Sequence, residues 1–392
     1  GNQLPYIDGI TSTNVQNPEV LKLRYTEGRV DYVHGAHTPL GLQDVASLRQ
    51  AEARHGLQTF FWDSGSGTGS IFFLNYDFAE PKMRELIRNP KFRQAISHAY
   101  NRQQVQKVVY FNTGEITTGT MSPKAIEYTI NDQGKQVYQQ WRDSYVKHDP
   151  EKAKSLLDEI GVKENNGVRE MPGGGKLTVR LEYPADAAPE TLRKNELLAA
   201  DLKAVGITAQ LAPLAPEGYD DLWKVGKVMS KTNWEVGDGP NHLVYPQWLV
   251  PLEFTRWAPL HGSFYEVLGT PKAKQELDKD PYKRTPPRVA PEPGSPIDRL
   301  WKIYNRSKVE TDPMKRHQLV WDMIKIHVDE GPFFMGSVAN PPRIVIAHKE
   351  LKNVPRREDL AQGGFVNPWI HPTPAVYDPE AYYWENPEAH SS

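Results

Sequence analysis

The stretch Asn89–Met121, NPKFRQAISHAYNRQQVQKVVYFNTGEITTGTM, constrains the chain more than any other, because two helix starts and two apolar faces are written into it side by side. Asn89 can accept a hydrogen bond from the first free backbone N–H groups, and Pro90 stands where its missing N–H costs nothing. Phe92, Ala95, Ile96 and Ala99 then recur at the spacing of one buried helix face. Asn101 repeats the capping signal, and Val105, Val108 and Val109 predict a second core face, which Gly114 can end in a turn.

The rest of the chain reads as alternating strands and helices. Residues 1–75 read as strand, helix, strand, helix, strand. Asn17-Pro18 starts one helix that Gly28 can stop, Val30 to Val33 follows as a strand, and Asp44 opens a helix through Val45, Leu48 and Ala51. Ile71 to Tyr76 is apolar enough for a strand buried on both faces. Asp149-Pro150 caps a helix carrying Ala153, Leu156, Leu157 and Ile160, with Gly161 as its stop. Leu177 to Tyr183, the helix Glu190 to Val205 and the strand after Gly206 form a strand–helix–strand unit, which favours parallel pairing. Ser230 to Pro259 is aromatic with little periodicity, and Asp278 to Pro296 reads as an exposed, proline-rich excursion. Ile297 to Tyr304 and Pro313 to Val328 read as helices, and Phe333 to Met335 and Arg343 to Ala347 as returning strands.

Charge and composition remove several function classes. The 392 residues carry 47 Lys and Arg against 49 Asp and Glu, a formal charge of -2, with no block of one sign, so no nucleic-acid partner is implied. Cysteine is absent, which removes disulfides, thiolate metal sites and cysteine nucleophiles. No apolar run approaches the roughly 18 residues that span a bilayer, and the start, GNQLPYIDGI, lacks the pattern of a signal peptide.

The wording of the first stretch goes further than helix physics. NPKFRQAISHAYNRQQV, followed by Gly114 and Ser122-Pro123, resembles the signature region of the bacterial extracellular solute-binding proteins of family 5, the dipeptide and oligopeptide binders of ABC importers. Arg93, Ala95, Ala99, Asn101 and Arg102 stand at the positions of that pattern. LRYTEGRVDYV from Leu23, FFLNY from Phe72 and HDPEKAKSLLDEIG from His148 are similar to further family segments. The resemblance implies an α/β, two-lobe fold of the type II periplasmic-binding-protein kind. Residues 1–75 and 336–392 then belong to the first lobe and 76–335 to the second, with the solute captured by closure about hinges near Asn75 and Met335. It implies a peptide ligand, a membrane permease as partner, no cofactor, and a periplasmic or extracellular location through a lipid anchor or the permease. It also implies that a segment before Gly1 supplies most of the first lobe. On that reading the second lobe is complete and the first partial, as in a piece of a longer protein, a proteolytic product or one chain of a split protein.

The candidate ligand site is Lys231 to Pro259, KTNWEVGDGPNHLVYPQWLVPLEFTRWAP. In the resembled family an Asp shortly after a Trp pairs with the peptide's α-ammonium, and Asp238 after Trp234 is similar, although WEVGDGPN departs from the family's spacing by a residue. Asp238-Gly239-Pro240 is equally a plain turn. Asn241 adds a polar group beside them. Trp234, Tyr245, Trp248, Phe254 and Trp257 suit either sugar stacking or the walls of side-chain pockets, and at least two of the five are expected to be structural. Ser64 to Ser70 lacks the ending of a phosphate loop and reads as a flexible loop. His34 and His37 have no third ligand nearby, so no metal is implied. No catalytic motif stands in its required context, so nothing supports an enzyme. Within the class an oligosaccharide binder is the alternative; outside it stand a hydrolase and an interaction module.

Overall fold

Polar caps followed by proline set the helix starts. In the computed structural model, which describes residues 3–11, 13, 15, 17–33, 40–69, 71–233, 236, 241–360 and 379–390, Asn17 accepts from Glu19 N at 2.9 Å, Asn89 from Lys91 N at 3.0 Å, Asp149 from Lys152 N at 3.0 Å and Asp312 from Lys315 N at 2.9 Å. Each opens a helix at a proline: Pro18–Thr26, Pro90–Ala99, Pro150–Glu159 and Pro313–Glu330. Asn101 likewise caps Arg102–Val109 through Gln104 N at 3.0 Å. That helix buries Val105 but leaves Val108 38% exposed, so its core face is narrower than the valine run implies.

The chain forms two compact units, Gly1–Ser66 with Asn340–Ser392, and Gly67–Ala339. In the first, the strand Pro342–His348 lies between Leu57–Asp63 and Tyr32–Val33, antiparallel to both. The helices Pro18–Thr26 and Val45–His55 cover one face, where Tyr25, Leu48, Ala51, Leu57, Ile344 and Ile346 form a core. Trp62 and Val345 point to the other face by the strand's two-residue period. Leu57–Asp63 is an edge strand among the described residues, and Glu52 satisfies one of its N–H groups, that of Thr59, at 2.6 Å. This strand is a correction, because the sequence reading has a strand ahead of the first helix and none at 57–63; no strand precedes Pro18 among the described residues.

In the second unit Thr178–Pro184 and Thr208–Leu214 pair in parallel around the helix Pro189–Ala204, as the strand–helix–strand pattern predicts. Ile71–Leu74 pairs antiparallel with Ser230–Asn233, a strand hidden in the aperiodic stretch. Between Thr178–Pro184 and Ser230–Asn233 the connection is made by side chains: Ser230 Oγ accepts from Glu182 N at 3.1 Å and donates to Arg180 O at 2.7 Å, and the Glu182 carboxylate accepts from Met229 N. Burial raises the Glu182 pKa despite these bonds and Arg180 nearby. The apolar run Ile71–Leu74 is buried on both faces as expected, Phe72 and Leu74 packing with Phe92, Ile96 and Leu181, and Ile71 and Phe73 with Trp223, Trp248 and Trp257.

Two further expectations need correction. The serine–glycine loop is packed, not loose: Ser64, Ser66 and Thr68 are buried, and a Cβ on Gly67 would run into the Thr120 carbonyl. Phe333 to Met335 forms no strand, only the single bridge of Met335 to Phe72. The 278–296 excursion is exposed or half-buried as expected, except for fully buried Arg288, which donates to the carbonyls of Pro286, Lys272 and Gln275 at 2.9, 2.7 and 2.6 Å and ties it to the residues just before it.

Candidate functional site

Two strand ends and a pair of buried carboxylates frame the stretch Lys231 to Pro259. The ladder sets Lys231 opposite Phe73, on the face that carries Trp223. Its ammonium is fully buried, pairs with the Asp220 carboxylate, and stands 5.0 and 4.9 Å from the ring centres of Tyr219 and Trp223. Burial pulls its pKa down, and Asp220 opposes that pull without cancelling it. Trp234 and Asp238, like His34 and His37, lie outside the described residues. Val236 is described, and it bridges to Thr68 through N–H···O bonds of 3.1 and 3.2 Å.

Further along, Asn241 spends its side-chain oxygen on Leu243 N at 2.8 Å and its carbonyl on Val244 N at 3.2 Å, a local turn. His242 is fully buried and meets Glu127, itself 1% exposed, through Nδ1 to Oε2 at 2.8 Å; its Nε2 lies 2.9 Å from Tyr128 Oη. Burial acts to raise the Glu127 pKa, yet the charge and hydrogen bond of His242 outweigh it and the net direction is down. Tyr245 is half-buried, its hydroxyl accepting from Arg256 Nη2 at 2.9 Å. The Arg256 guanidinium lies 4.5 Å from the Trp248 ring centre and 3.7 Å from Glu253.

Trp248 and Trp257 are 1% and 0% exposed, and so belong to the core. Trp257 donates from its indole to Trp248 O at 3.1 Å and stacks on Phe333 with ring centres 4.3 Å apart. Phe254 is half-buried under the ammonium of Lys224, 4.6 Å from the ring centre. Asn75, proposed as a hinge, is fully buried inside the second unit, donating to Trp223 O and Val228 O at 3.3 and 3.0 Å and accepting from Asp77 N at 3.0 Å. Met335 is buried in the same unit, and the chain changes unit between Ser66 and Gly67 and between Ala339 and Asn340.

Next to Asn75, Asp77 completes the frame. Its buried carboxylate caps the helix Pro259–Val267 through Leu260 N and His261 N at 2.9 and 3.1 Å and accepts from Arg88 at 2.9 Å. Burial would raise its pKa, but His261 and Arg88 hold it down to about 2. Sequence reasoning missed both carboxylates. Glu127 and His242 are 115 positions apart, and only the identity of His242, a polar residue inside an aromatic stretch, offered a signal. Among the described residues no group of three or more His, Asp or Glu side chains could hold a metal ion, and no helix is long and apolar enough to cross a membrane.

The arrangement can be set beside known proteins. A probable ABC transporter-binding protein of Deinococcus radiodurans is 25% identical over 226 residues, 55% of this chain and 34% of that protein. The chain therefore spans about a third of that relative's length. The solved oligopeptide-binding protein OppA superposes with a TM-score of 0.71 at 22% identity, over 98% of this chain and 58% of its own. The periplasmic binding protein MelB of Agrobacterium fabrum, solved with stachyose, gives 0.62 at 17% identity over 93% and 50%. At these identities the likeness speaks to the fold, that of a type II periplasmic binding protein. The family pattern of the bacterial extracellular solute-binding proteins, family 5 Middle, runs through residues 1–252, well over half of the chain, and the chain belongs to that family.

Proposed function

We propose that the chain takes part in solute capture for an ABC importer, outside the cytoplasmic membrane, and that its solute is a peptide whose α-ammonium meets Asp238. Family membership and the oligopeptide-binding name of OppA support the class. The observation that carries the peptide reading is that the described entry and exit of the Asp238 stretch are both fixed, Val236 to Thr68 and His242 to Glu127. A carboxylate in a site that excludes water is a sound partner for an ammonium group. Trp234, Asn241 and Tyr245 are the proposed contacts beside it. Trp248 and Trp257, named with them from sequence, back the site from the core. Capture proceeds by hinge closure, with the unit changes at Ser66-Gly67 and Ala339-Asn340 as pivots alongside Asn75 and Met335, and delivery is to a membrane permease. An oligosaccharide is the second reading, favoured by the stachyose complex of MelB.

Calorimetric titration with trialanine, N-acetyl-trialanine and stachyose separates the two. Asp238→Asn is expected to weaken trialanine roughly tenfold to a hundredfold, the loss of one charge-assisted hydrogen bond, and to leave the acetylated peptide unchanged. Equal losses on both peptides would remove the ammonium role. Stachyose binding that falls with Trp234→Ala and not with Asp238→Asn would establish the sugar reading.

A further inference from the structure

We propose that Asn340 couples the two passages of the chain from unit to unit into one hinge, which bends at Gly65 and Asn340; this rests on the reading of capture by hinge closure. In the first unit the ladder of Leu57–Asp63 with Pro342–His348 ends where Asp63 faces Pro342, but the pairing runs on past it. Asn340 N donates to Ser66 O at 2.8 Å, and Asn340 Oδ1 accepts from Gly65 N at 3.0 Å. One residue of the returning passage thus holds two consecutive residues of the outgoing one. One of the two bonds comes from a side chain, so a substitution can remove it and spare the backbone.

Both partners of that side-chain bond stand in the left-handed region, Gly65 at φ 66° and Asn340 at φ 49°. Glycine reaches this conformation freely, and asparagine more readily than most side chains. In the second unit the two passages enter a node that has no room to bend. Gly69 N donates to Val338 O at 2.8 Å, Ser337 N to Thr68 Oγ1 at 3.0 Å, and Gly336 N to Thr118 O at 2.7 Å. Buried Arg102 spans two of these segments, its Nε donating to Thr117 O and Gly336 O at 3.1 and 2.9 Å. A Cβ on Gly336 would stand 2.5 Å from Thr68 Oγ1 and 2.7 Å from Gly119 Cα. Backbones packed this closely move as one body. Hinge rotation is taken up by residues at the ends of elements, and between ladder and node those are 64–66 with 340–341. Two separate tethers would allow opening, twisting and sliding, whereas a paired ribbon leaves chiefly one bend.

The test uses Asn340→Gly, which keeps the left-handed backbone and drops the side chain, and Asn340→Asp, which can still accept from Gly65 N. The chain has no cysteine, so spin labels go only where they are placed: Arg54→Cys in the helix Val45–His55 and Lys152→Cys in the helix Pro150–Glu159, both exposed. Without ligand, Asn340→Gly is expected to widen the spread of label distances, and Asn340→Asp to keep most of the wild-type width. Amide exchange at 64–66 is expected to rise about tenfold or more in Asn340→Gly, as local opening does, while 117–119 and 336–338 keep their protection. An unwidened spread in Asn340→Gly would overturn the coupling. Acceleration that spreads through 336–338 would put the bend inside the node and overturn the proposal equally. Trialanine and stachyose are then added to the labelled wild type. A distance that neither of them shifts, beside a widened Asn340→Gly, sinks the closure reading and leaves the coupling standing. A distance that shifts, beside an indifferent Asn340→Gly, does the reverse.

Discussion

The segments Asn89–Met121 and Lys231–Pro259 both bury cations, and they do so in opposite ways. Arg93 donates to the carbonyls of Pro332, Ile87 and Arg88 at 3.0, 2.7 and 2.7 Å, and Arg102 to those of Thr117, Gly336 and Ser97 at 3.1, 2.9 and 2.8 Å. These partners are neutral. Burial brings both guanidiniums down to about 10, still far above any working pH. Lys231 and Arg256 instead face the carboxylates Asp220 and Glu253. The first segment ties its two guanidiniums to backbone carbonyls, which acid does not touch. The second sets its cations against carboxylates, one of them, Asp220, outside the segment.

The sharpest way to break the comparison is Arg102→Met, which leaves three buried carbonyls without donors at about 1–3 kcal/mol each and should cost about 3–5 kcal/mol in a urea titration. A loss below about 1 kcal/mol would mean the cage is ornamental.

Acid should separate the segments next. His327 donates from Nε2 to Leu249 O at 2.7 Å, and burial lowers its pKa to about 4. Its folded pKa lies below the unfolded 6.5, so its stabilisation is full above pH 6.5 and is lost as the pH falls towards 4. Integrated, that is about 3 kcal/mol. Exchange at residues 245–257 should rise over that window by more than at Pro90–Ala99, whose His98 is only half-buried, and His327→Gln should flatten the slope. Equal acid sensitivity of both segments would count against the division.

Lys231→Met should cost under about 1 kcal/mol, because the Asp220 side chain left behind is 54% exposed and can be solvated. A cost like that of Arg102→Met would erase the distinction between cage and pair. The smallest effect, about 1 kcal/mol, is expected for Asn89→Ala, the loss of one helix cap; an unchanged denaturation midpoint would show that Pro90 alone starts the helix.

The same contrast governs what the amino-acid sequence discloses. The helices at Asn89 and Asp149 were legible because cap, proline and apolar face lie within one or two turns of each other, and that at Asn101 because cap and apolar face do. The strand Leu57–Asp63 was not, since its partner Pro342–His348 lies far along the chain and Phe60 and Phe61 blur its alternation. Ser230–Asn233 reads as polar because Lys231 is neutralised by Asp220, a residue whose role is invisible until the helix Tyr219–Lys224 is placed. Likewise Trp248 and Trp257 carry the composition of a ligand wall, and only packing reveals them as core. Local chemistry announces itself; chemistry assembled from remote carboxylates does not.

The side-chain seam at Glu182 and Ser230 has a consequence for how the second unit comes together. Backbone ladders propagate residue by residue, and a ladder interrupted by side chains stops propagating there. The parallel hairpin-like unit from Thr178 to Leu214 is contiguous in sequence, whereas Ile71–Leu74 must find Ser230–Asn233 across a long loop. The two should therefore form and open as separate cooperative blocks, the contiguous one first, with Glu182 as the clasp that joins them at the end.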